Sequence, residues 1–377
     1  MLNHDTVLEI ASHFRLGGTP VGVKELTSGN INTTYRVDMG ADPDAAHYVL
    51  QRINTNAFRD PVSLMENICR VTEHIRESLE AEGQNTDRRV LRFVESDNGS
   101  FLYTVPAGTA GEGTWRAYRH VDHVTAYDHL DSPDLFYEAG RGFGEFQTRL
   151  ADFPADELTE TIPHFHDTPY RYETFLRSVE ADSAGRVAEV AEEIEFVKSR
   201  RELMHGIVDR LATGELPLRV THNDTKVNNV LIDNRTGCAV CVIDLDTVMP
   251  GSSLYDYGDA IRFGACTAAE DEKDISKIDF DMTLFEAFTR GFVEMTADNL
   301  TRNELLLLPL GALVLTLELV MRFLTDYLDG DVYFKTRYPG HNLDRTRAQM
   351  QLLRKMEERY DAMCAFVASL VDGTSES

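Results

Sequence analysis

Up to about residue 120, apolar and polar positions alternate over short runs, the period expected of strands with one buried face. Val21–Leu26, Thr33–Asp38 and Tyr48–Ile53 read as strands, set apart by Ser28-Gly29-Asn30 and by residues 40–44. A short helix is expected over 5–15. Pro61, Leu64, Ile68, Val71 and Ile75 then recur at helical spacing, with proline at the start, where its missing N–H is tolerated. Val90–Val94 and Phe101–Val105 flank an Asp97-Asn98-Gly99 turn. The last strand expected here, Thr114–Val121, alternates Trp115, Ala117 and Arg119 against Arg116, Tyr118 and His120.

Beyond that point the period lengthens. Asp134–Leu150 places Leu135, Ala139, Phe143, Phe146 and Leu150 on one helical face. Further helices are expected near 169–181, 186–212, 283–297, 303–328 and 342–371. Two strand-like runs, Asn229–Ile232 and Ala239–Ile243, sit among them around a turn built from Asp233, Asn234 and Gly237. The pattern predicts a mixed α/β (α+β) chain of two lobes. Residues 1–120 form a β-rich lobe and residues 121–377 a mainly helical one, the outline of a protein-kinase-like fold.

Composition narrows the partners. The chain has 377 residues, 37 Lys and Arg against 63 Asp and Glu, and a formal charge of −26. Such a surface repels nucleic acid and anionic membranes. The most apolar stretch, Leu305–Val320, contains Pro309 and Glu318 and reads as too short to span a bilayer. Five cysteines do not make a disulfide framework, and Cys238 and Cys241 lack the further ligands of a zinc set. A reduced, cytoplasmic enzyme, monomeric and acting on small molecules, is the expectation.

The chemistry gathers at the outer ends of the central hairpin. His222, Asp224, Lys226 and Asn229 precede the first run; Asp244 and Asp246 follow the second. A hairpin folds those ends together. One carboxylate to orient a hydroxyl, with an amide and a carboxylate to hold magnesium, is what phosphoryl transfer from a nucleotide requires.

These residues carry a family resemblance. His222-Asn223-Asp224 through Asn229 resembles the HxDxxxxN catalytic loop of the aminoglycoside phosphotransferase and choline kinase group, and Ile243-Asp244-Leu245-Asp246 its metal-binding motif. THNDTKVNNVLID, VIDLDTVMPG, YDYGDAIRFGA, INTTY and LTETIPHFHDTPYRYE further resemble the bacterial N-acetylhexosamine 1-kinases, from about Asp5 to about Ala368. The resemblance implies ATP as phosphoryl donor, Mg²⁺ as cofactor and the anomeric hydroxyl of N-acetylglucosamine or N-acetylgalactosamine as acceptor. Asp224 would be the base and Lys226 a contact to the transferring phosphate. Asn229 and Asp244 would hold the metal, with Asp246 assisting or orienting the loop. His222 would be structural.

On the nucleotide side the resemblance implicates Gly29, Asn32, Thr33 and Thr34 in a phosphate-covering turn, and the backbone of Tyr118–His123 beside adenine. Gln51 stands where a lysine or arginine is usual; Arg52 should point away by alternation, and Glu66 reads as an exposed helix residue. On the acceptor side it implicates Asn30, Phe263, Arg322 and Tyr333 in a sugar-binding wall, Asn30 standing where those kinases carry histidine. An Arg322–Asp326 salt bridge is the competing reading of Arg322. Asp259 and Arg262 are expected to brace the catalytic loop, and His164-Phe165-His166-Asp167 to form a lid or loop anchor rather than bind metal. Two rivals remain at this stage: a kinase of choline, homoserine or an aminoglycoside, and a nucleotide-binding pseudokinase.

Overall fold

The computed structural model describes residues 2–26, 31–40, 46–128 and 132–374; Gly29 and Asn30 lie outside the described residues. The N-terminal lobe is built on a six-stranded antiparallel sheet. Its order is β1 (Gly22–Leu26), β2 (Thr33–Asp38), β3 (His47–Ile53), β6 (Gly113–Arg119) and β4 (Phe93–Val94), with β5 (Tyr103–Val105) also on β6. Alternation assigns the faces as expected. Tyr35, Val37, Leu50, Trp115 and Ala117 are buried with Val7, Ile10 and Ala11 of α1 (His4–Ser12). The other face sets Thr34 opposite Gln51 and Gln51 opposite Arg116.

Helix α2 (Pro61–Ala81) ties this lobe to the next. Asp60 caps its start, and its buried Leu64, Ile68 and Val71 pack with Val220, Leu231, Leu245 and Val248. Asn67 Nδ2 donates to the Val248 carbonyl at 3.0 Å. After β6 the chain crosses over, with His120 N donating to His47 O at 2.9 Å. Then β7 (Val124–Ala126) pairs with β9 (Val230–Asp233), and β9 with β10 (Ala239–Val242). A second pair joins β8 (Arg219–Thr221) to β11 (Met249–Gly251). Cys238 and Cys241 are free thiols.

Helices α3 (Pro133–Arg149), α4 (Thr168–Ala181), α9 (Met282–Thr296) and α12 (His341–Thr374) fall where the periodicity placed helices, and α8 (Ser253–Gly264), which the periodicity did not place, follows the hairpin. Two expected helices are interrupted. The 186–212 segment forms α5 (Ala191–Lys198), α6 (Arg201–Met204) and α7 (Val208–Thr213). At the first break Ser199 Oγ and Arg200 Nη1 donate to Phe196 O, the carbonyl that the next helical N–H would use. The 303–328 segment divides into α10 (Arg302–Leu306) and α11 (Leu308–Leu328), because Pro309 has no N–H to continue the ladder yet fits the first turn of a new helix.

Helix α11 is therefore shorter than the single 303–328 helix that the periodicity suggests, but it runs past Val320, where the apolar stretch was expected to end. By length and composition it could cross a membrane, but 78% of its apolar window is buried within the protein. It is the core helix of the second lobe, crossing α8 in backbone contact. A Cβ on Gly258 would lie 2.4 Å from Gly311 O, and one on Gly311 2.3 Å from Leu254 O. That crossing fixes α8, which in turn holds the catalytic loop.

Candidate active site

The loop after β8 is held by a buried carboxylate on α8. Asp256 accepts from His222 N (2.9 Å), Asn223 N (2.8 Å) and Gln147 Nε2 (2.6 Å), while Thr225 Oγ1 donates to Asp256 O at 2.5 Å. Asn223 takes a left-handed backbone, φ 65°, and its amide donates to Thr247 O. Asn tolerates that region better than most residues. His222 is structural, as expected: Nε2 bonds Ile243 O at 2.8 Å and Nδ1 accepts from Asp224 N. The brace itself lies one turn earlier than the sequence suggested. Asp259 pairs with Arg262 (2.8 Å) and Arg262 with Glu270 (2.9 Å), while Asp256 makes the direct bonds to the loop. Asp256 looked like an ordinary polar residue in YDYGD, and nothing in the local pattern distinguished it.

Asp224 emerges from this loop into the cleft. Its Oδ1 lies 2.8 Å from Lys226 Nζ, and Asn229 Nδ2 donates to Asp224 O at 2.8 Å. Burial by itself would raise the Asp224 pKa, but Lys226, then His222 and Arg262, outweigh it and hold the carboxyl below its usual range. Lys226 is correspondingly held protonated, first by the Asp224 charge. Asn229 thus spends its amide nitrogen on the base and keeps its amide oxygen for another partner. The hairpin closes as expected, Ile243 N donating to Asn229 O at 2.9 Å. This brings Asp244, at φ 61°, to the same crevice.

Among the described residues no hydrogen bond or ion pair engages the Asp244 carboxylate. It remains open along the cleft although protein walls crowd it. Desolvation, then the charges of Asp246 and Asp224, push its pKa up to about 6. A dication would relieve that crowding. An amide oxygen and a free carboxylate are hard donors suited to Mg²⁺, which takes its remaining ligands from phosphates and water. Among the described residues no group of three His, Cys, Asp or Glu closes a metal cage.

Asp246 is placed differently. Its Oδ1 forms an ion pair with Arg116 Nη1 at 2.5 Å and its Oδ2 accepts from Asn32 Nδ2 at 2.6 Å. Both oxygens are committed to the N-terminal lobe, the loop-orienting arrangement. Gln51 joins the same network: Oε1 accepts from Arg116 Nε (3.0 Å) and Nη2 (2.7 Å), and Nε2 donates to Thr34 Oγ1 (3.1 Å). Thr33 starts β2 opposite Arg52, which packs over Gly113, away from this group. Glu66 is exposed. Alternation places Arg116 only on the strand face of Tyr118 and His120; its position opposite Gln51 comes from the β3–β6 register, which the sequence pattern does not specify.

On the second lobe Arg322 and Tyr333 meet. The Arg322 guanidinium lies 5.5, 5.9 and 5.6 Å from the ring centres of Phe165, Tyr333 and Phe334. Arg322, Tyr333 and Phe334 line a cleft of about 270 Å³ with Arg171, Asp326 and Asp329. Tyr333 is 69% exposed. The competing Arg322–Asp326 salt bridge is not found among the described residues, because Asp326 accepts from Val332 N, Tyr333 N, Phe334 N and Asn342 Nδ2, pinning the loop that carries the aromatic wall. Arg322 instead approaches Glu318 at 3.3 Å. Glu318 also bonds His166 Nδ1 at 2.9 Å, so the His164–Asp167 segment is a loop anchor. Phe263 does not line this cleft; it is half-buried against the helical core.

A β-rich lobe over a helical lobe, with an ionised aspartate beside an asparagine and a free carboxylate in the crevice between them, defines a two-lobe phosphotransferase. Residues 22–285 match the model of the phosphotransferase enzyme family that includes the aminoglycoside phosphotransferases, and the chain belongs to that family. Solved structures share the fold. A microcompartment-associated aminopropanol kinase superposes with TM-score 0.64 at 16% identity, over 95% of this chain and 98% of that one. Amicoumacin kinase, solved with AMP-PNP and Ca²⁺, gives 0.56 at 14% identity over 92% of each chain. Choline kinase from Cryptosporidium parvum Iowa II gives 0.56 at 13% identity, over 97% and 99%.

Proposed function

We propose that this phosphotransferase transfers the γ-phosphoryl group of ATP to the anomeric hydroxyl of N-acetylglucosamine or N-acetylgalactosamine, giving ADP and the 1-phosphate. The observation that carries the chemistry is the Asp224–Lys226 pair, an aspartate kept ionised at the crevice and 2.8 Å from a cation. Asp224 orients the sugar hydroxyl and accepts its proton as the oxygen–phosphorus bond forms and ADP departs. An anomeric hydroxyl is more acidic than an ordinary alcohol, which lightens that task. Lys226 follows the charge that develops on the transferring group. Magnesium bound by the Asn229 amide oxygen and Asp244 would neutralise phosphate charge. Transfer is direct, since among the described residues no His or Cys stands free at the crevice as a nucleophile: the His222 ring is bonded through both nitrogens.

The acceptor assignment is supported by the Arg322–Tyr333 cleft. An exposed aromatic face packs on a pyranose, and a guanidinium donates to hydroxyls or to an acetamido carbonyl. The test is ATP- and Mg²⁺-dependent phosphorylation of N-acetylglucosamine, N-acetylgalactosamine, glucose and choline, with NMR locating the phosphate. Anomeric phosphate on the N-acetyl sugars is the expected result. Turnover of choline alone, or phosphate on another hydroxyl, would discard the sugar reading and leave the catalytic residues in place. No turnover of any acceptor, with ATP bound, would favour a pseudokinase.

A further inference from the structure

The crevice between the lobes is short of positive charge. Asp224, Asp244 and Asp246 face it, and Lys226 is already paired with Asp224. A nucleoside triphosphate brings about four more negative charges at neutral pH, and carboxylates close to phosphates repel them strongly in a low-dielectric cleft. Strand β3 offers the neutral Gln51 at the position facing this group, and Arg52 points to the opposite face. The nearest cation is on the neighbouring strand.

Arg116 is 2% exposed and lies directly across from Gln51 in the β3–β6 register, so both side chains leave the same face of the sheet. Besides a long contact from Nη1 to Met65 Sδ (3.8 Å), its guanidinium has two oxygen partners. Nε and Nη2 fork onto Gln51 Oε1, and Nη1 meets Asp246 Oδ1. Asp246 is one residue beyond Leu245 from Asp244, and its other oxygen holds Asn32 at the start of β2. One buried guanidinium therefore connects β3, β6, the loop carrying Asp244 and the end of the β1–β2 turn. Breaking a buried ion pair on one side leaves an uncompensated charge, so the arrangement is held firmly.

We propose that Arg116 is the positioning residue for the nucleotide's phosphates: a cation supplied from β6 in place of one on β3. It acts through two partners. By occupying the Gln51 oxygen it fixes the Gln51 amide so that its nitrogen, which donates one N–H to Thr34 Oγ1, lies on the side away from Arg116. By neutralising Asp246 it removes one negative charge from the crevice and fixes the loop on which Asp244 stands. The fork matters as much as the charge, because a lysine ammonium cannot hold Gln51 and Asp246 in one plane. The inference rests on membership of the phosphotransferase family and is independent of the acceptor.

The test is calorimetric binding of Mg·AMP-PNP and of adenosine to the full-length protein, with Arg116→Lys, Arg116→Met and the charge-transposed Gln51→Lys/Arg116→Gln double variant. Folding is checked by far-UV circular dichroism. In Arg116→Lys the Mg·AMP-PNP Kd should rise about tenfold, and more in Arg116→Met, with adenosine affinity changed less than twofold. A purely structural arginine would weaken both ligands together, and that result overturns the proposal, as does unchanged Mg·AMP-PNP affinity in a folded single variant. Should Arg116→Met fail to fold, Arg116→Lys and the double variant decide. Recovery of Mg·AMP-PNP affinity to within threefold of wild type in the double variant supports the proposal. A folded double variant that binds adenosine normally and Mg·AMP-PNP no better than Arg116→Lys refutes it.

Discussion

Replacing Asp256 by asparagine should cost this protein both stability and catalysis, although Asp256 touches no substrate. The side chain is 1% exposed and its two oxygens accept from His222 N, Asn223 N and Gln147 Nε2. Asparagine keeps the volume but turns one acceptor into a donor. Whichever way the amide lies, at least one loop N–H faces another N–H. An unsatisfied buried donor costs about 1–3 kcal/mol, and the surviving bonds lose their charge assistance, worth about 1 kcal/mol each. Burial already pushes the Asp256 pKa up, so removing the charge returns part of that loss. The expected net destabilisation is about 3 kcal/mol. The loop that carries Asp224 would also shift, and a displacement of about 1 Å lowers kcat on the order of 100-fold. Urea unfolding followed by circular dichroism gives the first quantity and steady-state ADP release the second. Asp224→Asn is the control: kcat should fall about 10²- to 10⁴-fold, with stability within about 1 kcal/mol of wild type because Lys226 is partly exposed and can be rehydrated. An Asp256→Asn protein that unfolds like wild type and turns over normally would show that α8 does not hold the loop.

Other outcomes follow from the second lobe. Burial would raise the Glu318 pKa, but His166, Arg171 and Arg322 outweigh it and hold the carboxyl at about 2. Its folded pKa therefore lies below the unfolded one of about 4.3. Its contribution, roughly 3 kcal/mol, is fully present above that value and is lost as pH falls towards 2. Glu318→Gln should flatten the stability–pH curve over that window, and an unchanged slope would contradict the ion-pair assignment. Arg322→Ala and Tyr333→Ala should each raise KM for the acceptor about tenfold, equivalent to about 1.4 kcal/mol, and leave KM for MgATP unchanged. A shift in both constants would place the cleft outside acceptor binding. Gly258→Ala should lower stability by about 3 kcal/mol in thermal or urea melts, since its Cβ meets the Gly311 carbonyl at 2.4 Å and backbone cannot yield as a side chain would. A neutral result would mean that α8 and α11 can separate freely.

The sequence determined what is local and periodic. Alternation located β1, β2, β3 and β6, and the 3.6-residue period located α2, α3, α9 and α12, because a buried face must repeat with the geometry of its own backbone. The catalytic loop and hairpin were also legible, since Asp224, Asn229 and Asp244 lie close along the chain and a turn at Asp233–Gly237 suffices to gather them. The tertiary structure decided what depends on partners far apart in sequence. Asp246 binding Arg116 and Asn32 is a pairing across the lobes, and no spacing rule specifies it. The brace falls on Asp256 rather than Asp259 because the crossing with α11 at Gly311 sets the rotation of α8. The 186–212 helix breaks because Ser199 and Arg200 capture a carbonyl, a competition that hydrophobic spacing does not register. Arg322 turns to Glu318 because Asp326 is already filled by three N–H groups of the following loop. In each case a polar group had several possible partners, and packing chose which of them came within a hydrogen bond's reach.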